Sequence, residues 1–184
     1  MTAAGPGDAP APATATIERL RLVPNVPAVY ALLGGTGAGA WVAYVGIAGA
    51  LRRRLDQHLV LRDSSVATGA GAVALNPDRV TGARWWEHPR FTERAALEAA
   101  ETIAITALDP ALRSRGAPSA AARALLADPA VAAEFAALFA APPAGQLILP
   151  SLADALDRIA ALEARLSALE TRLAGPGDAP EDGP

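Results

Sequence analysis

With 184 residues, the chain is long enough for one compact domain with appendages, and its formal net charge of −3 argues against a generally basic nucleic-acid binder. It has no Cys, which excludes disulfides and thiolate metal sites and leaves the redox compartment open. All 16 basic residues are Arg, and Ala supplies much of the 52% hydrophobic content, so few large side chains carry the packing. The charge is uneven. Residues 17–145 hold 13 Arg against 11 Asp and Glu, a balance of +2, and the remaining −5 lies in the two ends of the chain. A local basic patch at Arg52, Arg53 and Arg54 is compatible with this distribution.

Residues 1–15 are mostly Ala, Pro, Gly and Thr and read as a disordered arm. They lack the basic and apolar regions of a secretory signal, so a cytoplasmic location is expected. The segment from Ala4 to Pro10 recurs as Ala174 to Pro180, in what reads as a disordered tail over 174–184. Residues 17–22 suit a short helix ending before Pro24. From Leu22 to Leu51 there is no charge, a length that would span a bilayer, but the Gly-rich spacer 34–39 divides it into two short runs. A β-hairpin of strands 26–33 and 40–47 is expected instead, and no membrane partner. Residues 50–61 read as a helix, with Leu51, Leu55 and Leu59 as its apolar stripe. Residues 62–80 are loop-like.

Residues 84–88 then read as a third strand, ended by Pro89. Trp85 and Trp86 must point to opposite sides of it, one into the core and the other available to cover a helix or stack on a base. Thr92 is the expected N-cap of a helix over 93–108 that stops at Asp109-Pro110. Two Ala-rich helices follow near 119–127 and 128–140, and 141–145 reads as a linker.

The last structured segment repeats in sevens. Leu152, Ile159, Leu166 and Leu173 take position a, and Ala155, Leu162 and Leu169 take position d. Glu163 and Glu170 stand at e; Arg158, Arg165 and Arg172 stand at g. In a parallel pair each g-position Arg faces the next e-position Glu of the other helix, whereas an antiparallel pair sets Arg against Arg. The expectation is a parallel homodimer through residues 152–173, with a trimer as alternative.

The strongest chemical signal runs from Pro27 to His58. Ala28-Val29-Tyr30 is followed, after a spacer, by Tyr44-Val45-Gly46 and then by Leu51-Arg52-Arg53-Arg54 and His58. This resembles the GIY-YIG nuclease family, with Ala28-Val29-Tyr30 in the place of GIY and Tyr44-Val45-Gly46 in the place of YIG. The family places an Arg ten residues after the second Tyr, which is Arg54, and an acidic residue nine before a Pro, which is Glu101 ahead of Pro110. Glu98 is a rival one turn earlier, but it stands twelve residues before that Pro.

The resemblance covers about residues 25–115. It implies an α/β fold, a small three-stranded antiparallel sheet flanked by helices, within a domain at 16–115; the Ala-rich helices and linker (116–145) and the coiled coil (146–173) would follow. It also implies a metal-dependent endonuclease acting on DNA, with Tyr30, Tyr44, Arg54 and Glu101 catalytic. Glu101 would hold Mg2+ (or Mn2+), and Gly46, Arg52, Arg53 and His58 would contact the nucleic acid. The chemistry accounts for these residue types. A carboxylate holds a hard divalent cation that keeps most of its waters. A guanidinium grips two phosphate oxygens at any working pH. A phenol near a cation can take the proton of an attacking water. The chain departs from the family at Ile47, where many members have Lys, and at Arg113, where Asn is common. The alternative is therefore a catalytically degenerate module of the same fold that binds nucleic acid or protein.

Overall fold

The structure is a computed structural model that describes residues 12–35, 39–61, 65–68, 71–74, 76, 79–113, 116–150 and 152–173. It divides into two units, 1–150 and 151–184, taken separately below. The arm over 1–11 and the tail over 174–184 lie outside the described residues.

The first unit is an α/β assembly around a four-stranded antiparallel sheet. Strand β1 (Ala28–Gly34) is its centre, paired with β2 (Trp41–Ala48) on one side. On the other side lies β5 (Val80–Trp86), and beyond it β6 (Gly145–Ile148), for an order β2-β1-β5-β6. A central strand is covered on both faces, which is why β1 reads as a nearly unbroken apolar run. The expected hairpin is therefore present, within the uncharged stretch.

Side-chain alternation sends β1 into two cores. Ala28, Tyr30 and Leu32 pack with Leu20 of α1 (Pro12–Leu20) and with Leu51 and Leu55 of α2 (Leu51–Leu59). Val29 and Ala31 face the other layer, made by α3 (Arg94–Leu108), α4 (Ala120–Ala127) and α5 (Pro129–Ala140). On α3, Ala96, Ala99, Ala100 and Ala104 form a buried small-residue face that lets the helix lie close to the sheet. Bulk comes from few aromatics. Trp86 packs edge-on to Phe139 at 5.4 Å, and Phe91 lies 5.9 Å from Phe135.

Four expectations are corrected. The sheet has a fourth strand, β6, drawn from the supposed linker and the start of the supposed coiled coil. Gly145 permits it. Opposite Trp85, a Cβ at position 145 would sit 2.1 Å from the indole, so only Gly lets the chain pass over that ring. Leu147 and Leu149 are buried while Ile148 is exposed, a period-2 pattern too short to stand out beside the heptads. Within the loop-like stretch, Ser65–Thr68 (β3) pairs with Gly71–Ala74 (β4) as a separate hairpin. The helix expected at 17–22 begins at Pro12, inside the segment read as arm. Trp85 and Trp86 do point to opposite sides of β5, Trp85 into the core with α1 and α2 and Trp86 covered by the α3–α5 layer; the fourth correction is the N-cap of α3.

Helix α3 follows a 3-10 turn over Pro89–Thr92, and its N-cap is Glu93 rather than Thr92. Asp109 ends it in the left-handed region (φ 43°), its N–H bonded to Ile105 O, and Pro110 prevents continuation. Ser119 and Asp128 cap α4 and α5 through side-chain oxygens that accept from Ala122 N and Ala130 N. The second unit contributes one helix, α6 (Leu152–Leu173), on which Leu156, Ile159, Leu162, Leu166 and Leu169 are 51–57% exposed. Among the described residues, no helix is long and apolar enough to cross a membrane.

Candidate active site

The site begins at the β2 edge of the sheet. After α3 stops at Asp109, the chain turns back along β2, where Ala111 N donates to Val42 O and Leu112 N to Ala43 O. This covers only the first half of the edge. The second half opens into a cleft of about 440 Å3 with α2 on one side and α3 on the other. Tyr44 from β2, Arg53 and Arg54 from α2, and Glu101 from α3 all line it. Three residues that lie up to 57 positions apart (44, 54, 101) thus share one wall system through sheet topology alone.

Tyr30 does not line the cleft. It is fully buried behind it, and its hydroxyl shares a hydrogen bond of 2.7 Å with Nε2 of His58. The rings of Tyr30, Tyr44 and His58 form a triangle with centroids 5.7–6.2 Å apart. Gly46 is the residue that makes this triangle fit. It faces Tyr30 across the β1–β2 ladder, and a Cβ there would lie 2.7 Å from the Tyr30 hydroxyl oxygen and 2.7 Å from the Tyr44 ring. Gly46 and His58, expected at a phosphate, are both buried, His58 to 1% exposure, and both pack against the tyrosines. His58 stands seven residues after Leu51 and three after Leu55, which places it with them on the inward face of α2.

Arg52, expected to contact nucleic acid, does not line the cleft. Its Nε donates to Val23 O at 2.7 Å, and its side chain lines a different groove between α1 and α2. Successive helical residues are about 100° apart, so three consecutive arginines cannot face one target. Arg54 faces the cleft and donates from Nη1 to Gln57 Oε1 at 3.1 Å.

Glu98 and Glu101 differ in their hydrogen bonding. Glu98 Oε1 accepts from Arg94 Nε at 2.8 Å and Oε2 accepts from Ser119 N at 3.1 Å, so both oxygens clamp structure. Those bonds hold its carboxyl well below the usual range, at about 2. Glu101 has no hydrogen-bond partner among the described residues. Burial pushes it up to about 7; Arg94 opposes the shift and Glu98 adds to it. Burial likewise raises both tyrosines, with Tyr44 adding to the shift at Tyr30 and Glu101 to that at Tyr44, while Arg54 works against it in each. Burial, with help from Arg54, lowers His58 to about 4. Near neutrality the cleft therefore presents a fixed guanidinium, a neutral phenol and a carboxyl close to its midpoint.

The chain matches no family model, no curated protein and no solved structure.

What the cleft can do follows from its side chains. Among the described residues there is no group of three or more His, Asp or Glu able to cage a metal. One desolvated carboxylate with both oxygens open fits a different kind of site, a hydrated Mg2+ or Mn2+ anchored at Glu101 alone. The sequence reading missed Arg94, Gln57 and Thr102, which also line the cleft. Arg94 had a visible signal: 94, 98, 101 and 105 follow a helical i, i+4, i+7, i+11 spacing, one face of α3. Ile47 lines the cleft, whereas Arg113 is exposed and pairs with Asp109.

Proposed function

We propose that the chain is a metal-dependent nuclease that hydrolyses phosphodiester bonds in DNA at the β2-edge cleft. The observation that carries this reading is the convergence of Tyr44, Arg54 and Glu101, from three separate elements, on one open cleft. In this reading Arg54 holds two oxygens of the phosphate and opposes the charge that builds on it in the transition state. Tyr44, the tyrosine that lines the cleft, takes the proton of the attacking water as the oxygen–phosphorus bond forms. Burial keeps its phenol neutral, so its proton must first be drawn off by a cation's field, to which Arg54 contributes. Tyr30 and His58 hold the Tyr44 ring in place from behind. A cation at Glu101 would neutralise the phosphate and stabilise the departing oxygen.

The raised carboxyl of Glu101 favours a second reading, a domain that binds nucleic acid without cutting it, because a half-protonated carboxylate holds a metal weakly. One experiment separates the two. Purified chain is incubated with single- and double-stranded DNA in Mg2+ and in Mn2+, beside Tyr44→Phe, Arg54→Ala and Glu101→Gln. Cleavage by the wild type that falls at least about 100-fold in each variant is expected. A wild type that binds DNA but stays inert in both metals would establish the second reading, and variants as active as wild type would remove the site assignment.

The same proposal includes assembly. The apolar face of α6 and its Arg158/Glu163 and Arg165/Glu170 complementarity support a parallel homodimer, which would bring two clefts to one substrate and raise affinity by avidity.

A further inference from the structure

We infer that the groove between α1 and α2 is a second phosphate-binding subsite, which takes the backbone of the strand whose reacting phosphodiester occupies the β2-edge cleft. It rests on the nuclease reading for the strand's identity, but its geometry is independent of Glu101 and of any metal. The groove encloses about 360 Å3, and Arg21, Arg52, Arg53, Asn25 and Asp56 border it. Three guanidinium groups against one carboxylate leave a local balance of +2 in a chain whose total is −3. Such a concentration of arginine suits phosphate, whose oxygens match the guanidinium fork, better than a neutral ligand.

Two features make this more than a chance cluster. First, two of the groups are held. Arg52 is anchored through Nε to Val23 O, which fixes the guanidinium at the groove wall with its Nη groups as the remaining donors. Asn25 Oδ1 accepts from Arg53 N at 3.4 Å, which leaves its NH2 as a donor at the groove. Pre-ordered donors lose less entropy on binding than free surface arginines do. Second, Arg53 lines both the groove and the catalytic cleft. The consecutive arginines of α2 thus fan out, with Arg54 at the reacting phosphate, Arg53 on the ridge and Arg52 in the second groove. This is the arrangement needed to follow successive phosphates of one strand across a helix. Contacts to phosphate position a strand without selecting its sequence.

The test uses the full chain with metal chelated, so that binding is read apart from cutting. Fluorescence anisotropy compares an oligonucleotide long enough to span both sites with a dinucleotide that reaches only one. Arg21→Glu, at an exposed position that lines the groove alone, is expected to lower the ratio of long to short affinity about tenfold. It should also reduce the slope of log K against log salt by about one. Arg21→Lys recovers most of the affinity, and Arg84→Glu, an exposed β5 position lining neither site, matches wild type. Equal affinity and salt slope in wild type and Arg21→Glu would overturn the subsite, as would a wild type that does not bind the long strand. A wild type that binds in this Arg21-dependent way but never cleaves leaves the subsite standing and removes only the nuclease reading.

Discussion

Glu101 and His58 illustrate how single groups set the pH behaviour of the site. Glu101 titrates near 7 when folded against 4.5 ordinarily, so folding favours its protonated form. Its contribution is greatest below about 4.5 and is lost as pH rises through 7. His58 titrates near 4 against 6.5, so folding favours its neutral form, and its contribution is present above 6.5 and lost as pH falls towards 4. The two oppose each other across the overlapping window. Glu101→Gln removes one of them. Urea melts should show the variant gaining roughly 2–3 kcal/mol on wild type between about pH 4.5 and 8, as the shift from 4.5 to about 7 requires. Added Mg2+ should narrow that gap in wild type only. The same ionisation predicts that the apparent Mg2+ affinity of wild type, measured calorimetrically, weakens about tenfold per unit of pH below about 7. Gly46 offers a steric counterpart. Gly46→Ala forces a methyl group against both tyrosines and should cost about 1–3 kcal/mol in the same melts, with cleavage falling alongside.

At the scale of elements, the edge pairing of β6 and the cleft wall at 116–118 depend on contacts no local pattern announces. Gly145→Val sets a branched side chain into the Trp85 indole and should unpair β6, exposing Leu147 and Leu149. A red shift of tryptophan emission under native conditions, with about 1–3 kcal/mol lost, is the expected result. Glu98→Ala should act differently. It frees Ser119 and the adjoining wall residues Gly116, Ala117 and Pro118, so amide exchange at Ser119 should accelerate while β1 stays protected. Element existence was largely legible: the β1–β2 hairpin, α2, α3, α4 and α5 follow from apolar periodicity, the Gly-rich spacer and Ala-rich composition. Strand β6 was not, because four residues with alternating burial carry little signal and Gly145 reads as a linker until Trp85 is placed above it.

For the whole molecule, the exposed leucines of α6 govern the expected state of assembly. Leu162→Asp with Leu166→Asp should convert a dimer to a monomer in sedimentation, since each fully buried Leu contributes about 1.5–3 kcal/mol and a charge at the seam removes that and adds a desolvation cost. Cleavage of a dinucleotide would persist in that monomer, while affinity for long DNA drops with the lost avidity. A wild type already monomeric at working concentrations would refute the seam.

The sequence by itself determined the parts that local spacing encodes: the buried central strand, the apolar faces of the helices and the heptads of α6; Arg54 and Glu101 were paired only through the family resemblance. Only the tertiary structure decided which groups meet. It buried Tyr30 against His58 and left Tyr44 at the cleft, tied up Glu98 and left Glu101 open, and divided three consecutive arginines between two grooves. Periodicity specifies which way a side chain points from its own element. What it points at depends on sheet order and on close approaches such as that of Gly145 to Trp85, which join residues far apart in the chain and leave no trace in any short window of it.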